Sequence, residues 1–173
     1  MKRVIALLVL LGLLLGGCAT SSRSSAPQLE SNVKWALLPM ENYTETPQAG
    51  LRMEAITESI LRIKGVNPLD KYPPGLTQGG LFEPSDAKAL EAGINWAKQT
   101  GARYAITGAV NEWRYKTGID GEPAVGVTLK VIDLNKQQVV WSAAGARTGW
   151  GREAVSAVAQ KLLEDLVDGL KLK

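Results

Sequence analysis

The chain predicts an α/β (α+β) fold: a mixed β-sheet with an antiparallel meander, covered by about three helices in a two-layer sandwich. Three observations carry that expectation. Between residues 103 and 147, three stretches alternate apolar and polar side chains and are joined by short turns. Val155, Val158, Ala159, Leu162, Leu166, Val167 and Leu170 follow the 3,4-spacing of an amphipathic helix. Two further helical patterns lie upstream, each closed by a glycine.

The elements follow in chain order. Met1-Lys2-Arg3, the apolar stretch Val4 to Leu15 and the small pair Gly16-Gly17 before Cys18 read as a lipoprotein signal over residues 1–17. The apolar stretch is shorter than the ~20 residues that span a bilayer. Small residues before the bond suit a signal peptidase, and Cys18, the only cysteine, supplies the thiol that accepts lipid. More than one acyl chain there makes anchoring stable. Ala19 stands where an aspartate would retain a lipoprotein at the inner membrane, so the expected location is the periplasmic face of the outer membrane. Residues 18–32 then comprise the lipidated cysteine and a flexible polar tether, with a reach of about 20 Å.

Residues 33–173 form the single domain. Val33 to Pro39 is a short apolar strand. Gln48 to Ile63 reads as a helix with Ile56, Ile60 and Ile63 on one face, supported by Leu51 and Ala55. Residues 66–83 read as a long loop rich in Gly and Pro, with a short strand at Val66 to Leu69. Ser85 is the expected cap, and Asp86 the favourable first-turn charge, of a helix with Ala87, Leu90, Ile94 and Ala97 on one face. Along 103–115, Tyr104, Ile106 and Val110 share one face and Thr107, Asn111 and Trp113 the other. A hairpin containing Asp120-Gly121 leads to Val125, Val127, Leu129 and Val131, and a second turn leads to Val139, Trp141 and Ala143.

Composition narrows the chemistry. There is no histidine, hence neither the commonest general base nor the commonest metal ligand. With Cys18 lipidated no free thiol remains. No Gly-x-Ser-x-Gly or phosphate-binding Gly-x-x-x-x-Gly-Lys motif occurs. A non-enzymatic protein without metal or cofactor is expected. Net charge is +3, and loss of Lys2 and Arg3 with the signal reduces it to +1, too small a basic bias for a nucleic-acid binder.

Two sets of residues stand out. Trp35, Trp96, Trp113 and Trp141 fall on predicted strands and a helix, where burial explains them. Trp150 lies between Gly149 and Gly151, beside Arg147 and Arg152. It suits either contact with anionic lipid head groups or packing at the helix end. Asp120 and Glu122 sit at the hairpin tip. There they serve turn chemistry or, repeated around a ring, a belt of negative potential that concentrates a cationic ligand.

The stretches Trp35-Ala36-Leu37-Leu38-Pro39, Asn42-Tyr43-Thr44-Glu45-Thr46-Pro47-Gln48-Ala49-Gly50, Ala105-Ile106-Thr107-Gly108, Glu112-Trp113-Arg114-Tyr115-Lys116, Gly121 to Gly126 and Trp141 through Trp150 resemble the PelC family of Pel exopolysaccharide export lipoproteins. The resemblance implies a dodecameric ring on the periplasmic face of the outer membrane, under the β-barrel of PelB. An acidic funnel would guide a cationic exopolysaccharide, with Asp120 a funnel carboxylate and Trp150 facing the membrane. The alternative is an outer-membrane lipoprotein acting as a regulatory binding module for a cell-envelope enzyme such as a peptidoglycan synthase. That role usually needs a long tether.

Overall fold

The computed structural model describes residues 19–25, 27–73, 86–118, 121–151 and 153–173. The elements run β1 (Ala19–Arg23), β2 (Gln28–Leu29), β3 (Trp35–Asn42), α1 (Ala49–Ile63), β4 (Leu69–Lys71), α2 (Asp86–Gln99), β5 (Tyr104–Tyr115), β6 (Pro123–Asp133), β7 (Gln138–Thr148), α3 (Val155–Val167) and β8 (Lys171–Leu172). Six strands form one mixed sheet in the order β1-β7-β6-β5-β3-β4, and β2 pairs with β8. β3 is parallel to β4 and β5, while β5, β6, β7 and β1 pair antiparallel.

This is the expected α+β sandwich. α1 and α3 lie together on one face of the sheet. Trp35, Leu37, Ile106, Leu129, Leu162, Leu163 and Leu166 are almost wholly buried there. Each such aliphatic side chain contributes about 1.5–3 kcal/mol over its exposed state. α2 packs on the reverse side, against β3. Alternation sends Ala36 and Leu38 that way, where they meet Ala97, Ile94 and Leu90. Among the described residues no helix covers the reverse of β1, β7 and β6, and an open groove of about 990 Å³ runs over Ser22, Gly126, Ala144 and Ala146. Gly65 and Gly101 end α1 and α2 with φ of +85° and +77°, the left-handed conformation that glycine tolerates.

The structure departs from the pattern reading in six places. The strand expected over Val33 to Pro39 starts at Trp35 and runs on to Asn42, its register on β5 shifting between Leu37 and Met40 around Pro39. The expected tether is partly folded: Ala19–Arg23 is an edge strand on β7, and Gln28–Leu29 pairs with β8. Its polar composition hides this, because an edge strand can be held by backbone partners alone, and all five residues of this one stay exposed. Ser24 N–H donates to Ser142 O (2.8 Å), Ser142 N–H to Ser24 Oγ (2.9 Å), and Arg23 reaches Asp165 of α3 (2.8 Å). The short strand expected at Val66 to Leu69 begins only at Leu69, since Pro68 has no N–H for a ladder.

A bulge between Val110 and Glu112 turns Trp113 to the core side, with 3 % exposure, instead of leaving it beside Thr107. A second irregularity, between Val131 and Ile132, leaves Val139 exposed while Trp141 and Ala143 stay buried. The buried face of α1 is also rotated. Met53, Glu54, Thr57, Ile60 and Leu61 face inward, whereas Leu51, Ala55 and Ile63 are exposed and Ile56 only lines the core margin. Glu54 is drawn in because its carboxylate accepts the Met40 N–H (3.1 Å) and pairs with Lys71 (3.2 Å). The Ser85 cap and the Asp86 and Ala87 side chains lie outside the described residues, as does the Gly/Pro-rich run 74–83.

Candidate functional site

The antiparallel register brings four strand ends to one end of the sheet. Tyr115 closes β5 opposite Pro123, which opens β6; Thr148 closes β7 opposite Ala124; and Ala19 opens β1 opposite Arg147. The β5–β6 hairpin and the β7–α3 turn project from this end. The candidate residues Glu122, Arg147 and Trp150 therefore share one region, beside Ala19, the residue that follows Cys18 in the chain. Cys18, Asp120 and Arg152 lie outside the described residues.

The turn that carries Trp150 is held at several points. Gly149 N–H donates to Pro123 O (2.9 Å), and Glu153 N–H donates to Trp150 O (3.0 Å). The Glu153 carboxylate accepts from Lys161 Nζ (2.6 Å) and, at longer range, from Trp150 N–H (3.4 Å). The Lys161 hydrogen bond, opposed by partial desolvation and aided by Trp150 N–H and the Arg147 charge, holds the Glu153 carboxyl below its ordinary pKa. A side chain on Gly149 would meet Glu153 Oε2 at 2.4 Å, Val158 Cγ2 at 2.6 Å and Pro123 Cγ at 2.9 Å, so only glycine fits. The fastened turn leaves Trp150 53 % exposed, while Trp35, Trp113 and Trp141 are buried and Trp96 is half-buried with its ring edge-on to Tyr72.

At the hairpin, Lys116 N–H donates to Glu122 O (2.7 Å), and the two side chains form a loose pair at 3.7 Å. Such an exposed pair contributes at most about 1 kcal/mol. Among the described residues no group of three or more acidic side chains could hold a metal ion, and no helix is long and apolar enough to cross a membrane. Sequence reasoning missed Tyr115, which is 52 % exposed and whose hydroxyl donates to Glu153 O at 3.1 Å. Its sequence signal was the end of an alternating strand, but only the register shows that it ends beside Trp150.

No family model and no functionally curated protein matches the chain. Solved structures do. The PelC dodecamer from Paraburkholderia phytofirmans is 39% identical, covers 90% of this chain and 99% of its own, and superposes with a TM-score of 0.77. A point variant of that dodecamer in a second crystal form, also 39% identical with 90% and 100% coverage, gives a TM-score of 0.76. The lipoprotein GNA1162 from Neisseria meningitidis shares the fold, with a TM-score of 0.58 at 17% identity over 79% of this chain and 96% of its own. Identity at the level of the two dodecamers over nearly the whole domain, with the same fold, places the chain plainly: it belongs to the PelC family.

Proposed function

We propose that the chain is a non-enzymatic outer-membrane lipoprotein, lipidated at Cys18 after removal of residues 1–17. It assembles into a periplasmic ring, and the ring guides a cationic exopolysaccharide toward the PelB export barrel. The supporting observation is the 39% identity to a PelC dodecamer across 90% of the chain. A ring forms when a head-to-tail interface has a rotation that closes. Repetition of the hairpin carboxylates Asp120 and Glu122 around it gives a negative lining, which raises the local concentration of a cationic polymer. Trp150, with Arg147 and Arg152, seats the ring on the membrane.

The regulatory-module reading needs the domain to reach far from its anchor. Pairing of Ala19–Arg23 with β7 removes five residues from the expected tether, which counts against that role. Light scattering on the protein from Ala19 onward tests the ring. The expected result is a closed assembly of many copies; a monomer both in concentrated solution and on vesicles would sink the reading. Asp120→Lys is expected to stop polymer export while the assembly persists, and unchanged export would remove Asp120 from the guiding surface.

A further inference from the structure

The membrane contact assigned above to Trp150 involves one turn, but the structure gathers more at the same place. Three large aromatic side chains are well exposed among the described residues: Tyr43 at 64 %, Trp150 at 53 % and Tyr115 at 52 %. Two of them share an end of the sheet. Tyr115 closes β5, and its hydroxyl donates to the backbone oxygen of Glu153, three residues beyond Trp150. Tyr43 is set back. It leaves β3 opposite Val110, with its N–H on Val110 O, five residues before the end of β5. At ~3.3 Å per strand residue it lies about 16 Å behind the Tyr115 level.

The chain outside the described residues also enters here. Ala19 pairs with Arg147, so residues 1–18 join the domain at this end. β1 is fastened behind that point by Ser24 and Arg23, so the entry point is fixed to the sheet and does not wander on a coil. Among the described charges named at this end the excess is one positive charge. Lys116, Arg147 and Lys161 stand against Glu122 and Glu153, with Glu153 neutralised by Lys161 and Glu122 facing Lys116.

We further propose that this end of the sheet is a lipid-facing surface with two aromatic anchors, Tyr115 beside Trp150, next to Ala19, where β1 begins. The proposal rests on the membrane-contact reading of Trp150. Tyrosine suits the role: its ring is apolar and its hydroxyl stays hydrogen-bonded, as at the aromatic belts of membrane proteins. The occupant is a phospholipid surface, because the segment that carries the lipid begins at this end.

The test uses the chain from residue 18 onward with Cys18→Ser, so that no acyl chain contributes, titrated with phosphatidylethanolamine vesicles containing a minority of phosphatidylglycerol. Trp150→Ala and Tyr115→Ala are each expected to weaken binding about fivefold, the loss for partial burial of one aromatic ring. Tyr43→Ala is expected to leave it unchanged. Tyr115→Phe, which keeps the ring and loses the bond to Glu153, is expected to bind as the parent does. If neither Trp150→Ala nor Tyr115→Ala weakens binding, the membrane-contact reading itself fails. If Trp150→Ala weakens it and Tyr115→Ala does not, only the second anchor is overturned. Equal losses for Phe and Ala at 115 would assign the effect to the Glu153 bond, and an equal loss at Tyr43 would move the surface elsewhere; either overturns the proposal.

Discussion

The two ends of the main sheet are built on different principles. At the end where β3 and β5 begin and β6 finishes, charges are sunk and paired. Asp133 is 2 % exposed; it accepts the N–H groups of Asn135 and Lys136, both at 3.0 Å, and the Arg103 guanidinium. Arg103 lies over the Tyr104 ring at 5.0 Å, and that ring packs tilted against Trp35 at 4.9 Å. Lys34 closes on Asp70 at 3.2 Å, and the β2–β8 pair seals the chain ends nearby. At the other end the aromatic rings of Tyr115 and Trp150 are half-exposed, and the ion pairs are Lys116–Glu122, loose at 3.7 Å, and Lys161–Glu153 at 2.6 Å. The difference is one of burial: one end sinks its aromatic and charged side chains against each other, and the other holds Tyr115 and Trp150 half-exposed.

Substitutions can break that contrast. Asp133→Ala is expected to cause the largest loss, about 3 kcal/mol in denaturant unfolding, because it orphans Arg103 and two backbone N–H groups. Gly149→Ala is expected to cost about 1–3 kcal/mol through overpacking against Glu153, Val158 and Pro123. It should also displace Trp150 and weaken vesicle binding, which Asp133→Ala should not do below its unfolding transition. Ser22→Pro removes an N–H from the ladder of β1 and is expected to cost about 1 kcal/mol. Hydrogen exchange should show residues 19–24 losing protection while β5 and β6 keep theirs. Trp150→Ala and Tyr115→Ala touch exposed rings and are expected to change stability by less than about 0.5 kcal/mol, which keeps their membrane effect interpretable.

Acid sharpens the same contrast. Burial pushes the Asp133 carboxyl up, but bonds from the Lys136 N–H, Arg103 and the Asn135 N–H outweigh it, and the net pKa is lowered from 3.8. A carboxyl with a lowered folded pKa stabilises the fold above its unfolded pKa, and that contribution is lost as pH falls through the folded value. Urea midpoints should therefore decline on acidification below about 4, and Asp133→Asn should flatten part of that decline. An unchanged acid limb in Asp133→Asn would show that the buried charge does not hold that end.

What the residues reveal in advance follows from the range of each interaction. Alternation in β5 and β6 and the 3,4-spacing of α3 are local, and they located those elements, although Leu170 lies beyond the end of α3. Trp113 and Val139 were misplaced because a one-residue bulge is invisible until the partner strand is known. The α1 face was misread because exposed Ile63 and Leu51 look like core, while Glu54 is buried only by what Met40 and Lys71 offer it. The β1 segment looked like a tether because serine and threonine carry no hydrophobic period. Trp150 was legible from its flanking glycines, but Tyr115 was not, since its exposure depends on where β5 ends relative to the β7–α3 turn.

The central claim is that this sheet end faces the membrane. Its most direct test is tryptophan quenching by brominated phospholipids in the lipidated chain on vesicles. The account predicts a quenched component that Trp150→Phe removes, since Trp35, Trp113 and Trp141 are buried and Trp96 packs on Tyr72. Quenching that persists undiminished in Trp150→Phe would contradict it.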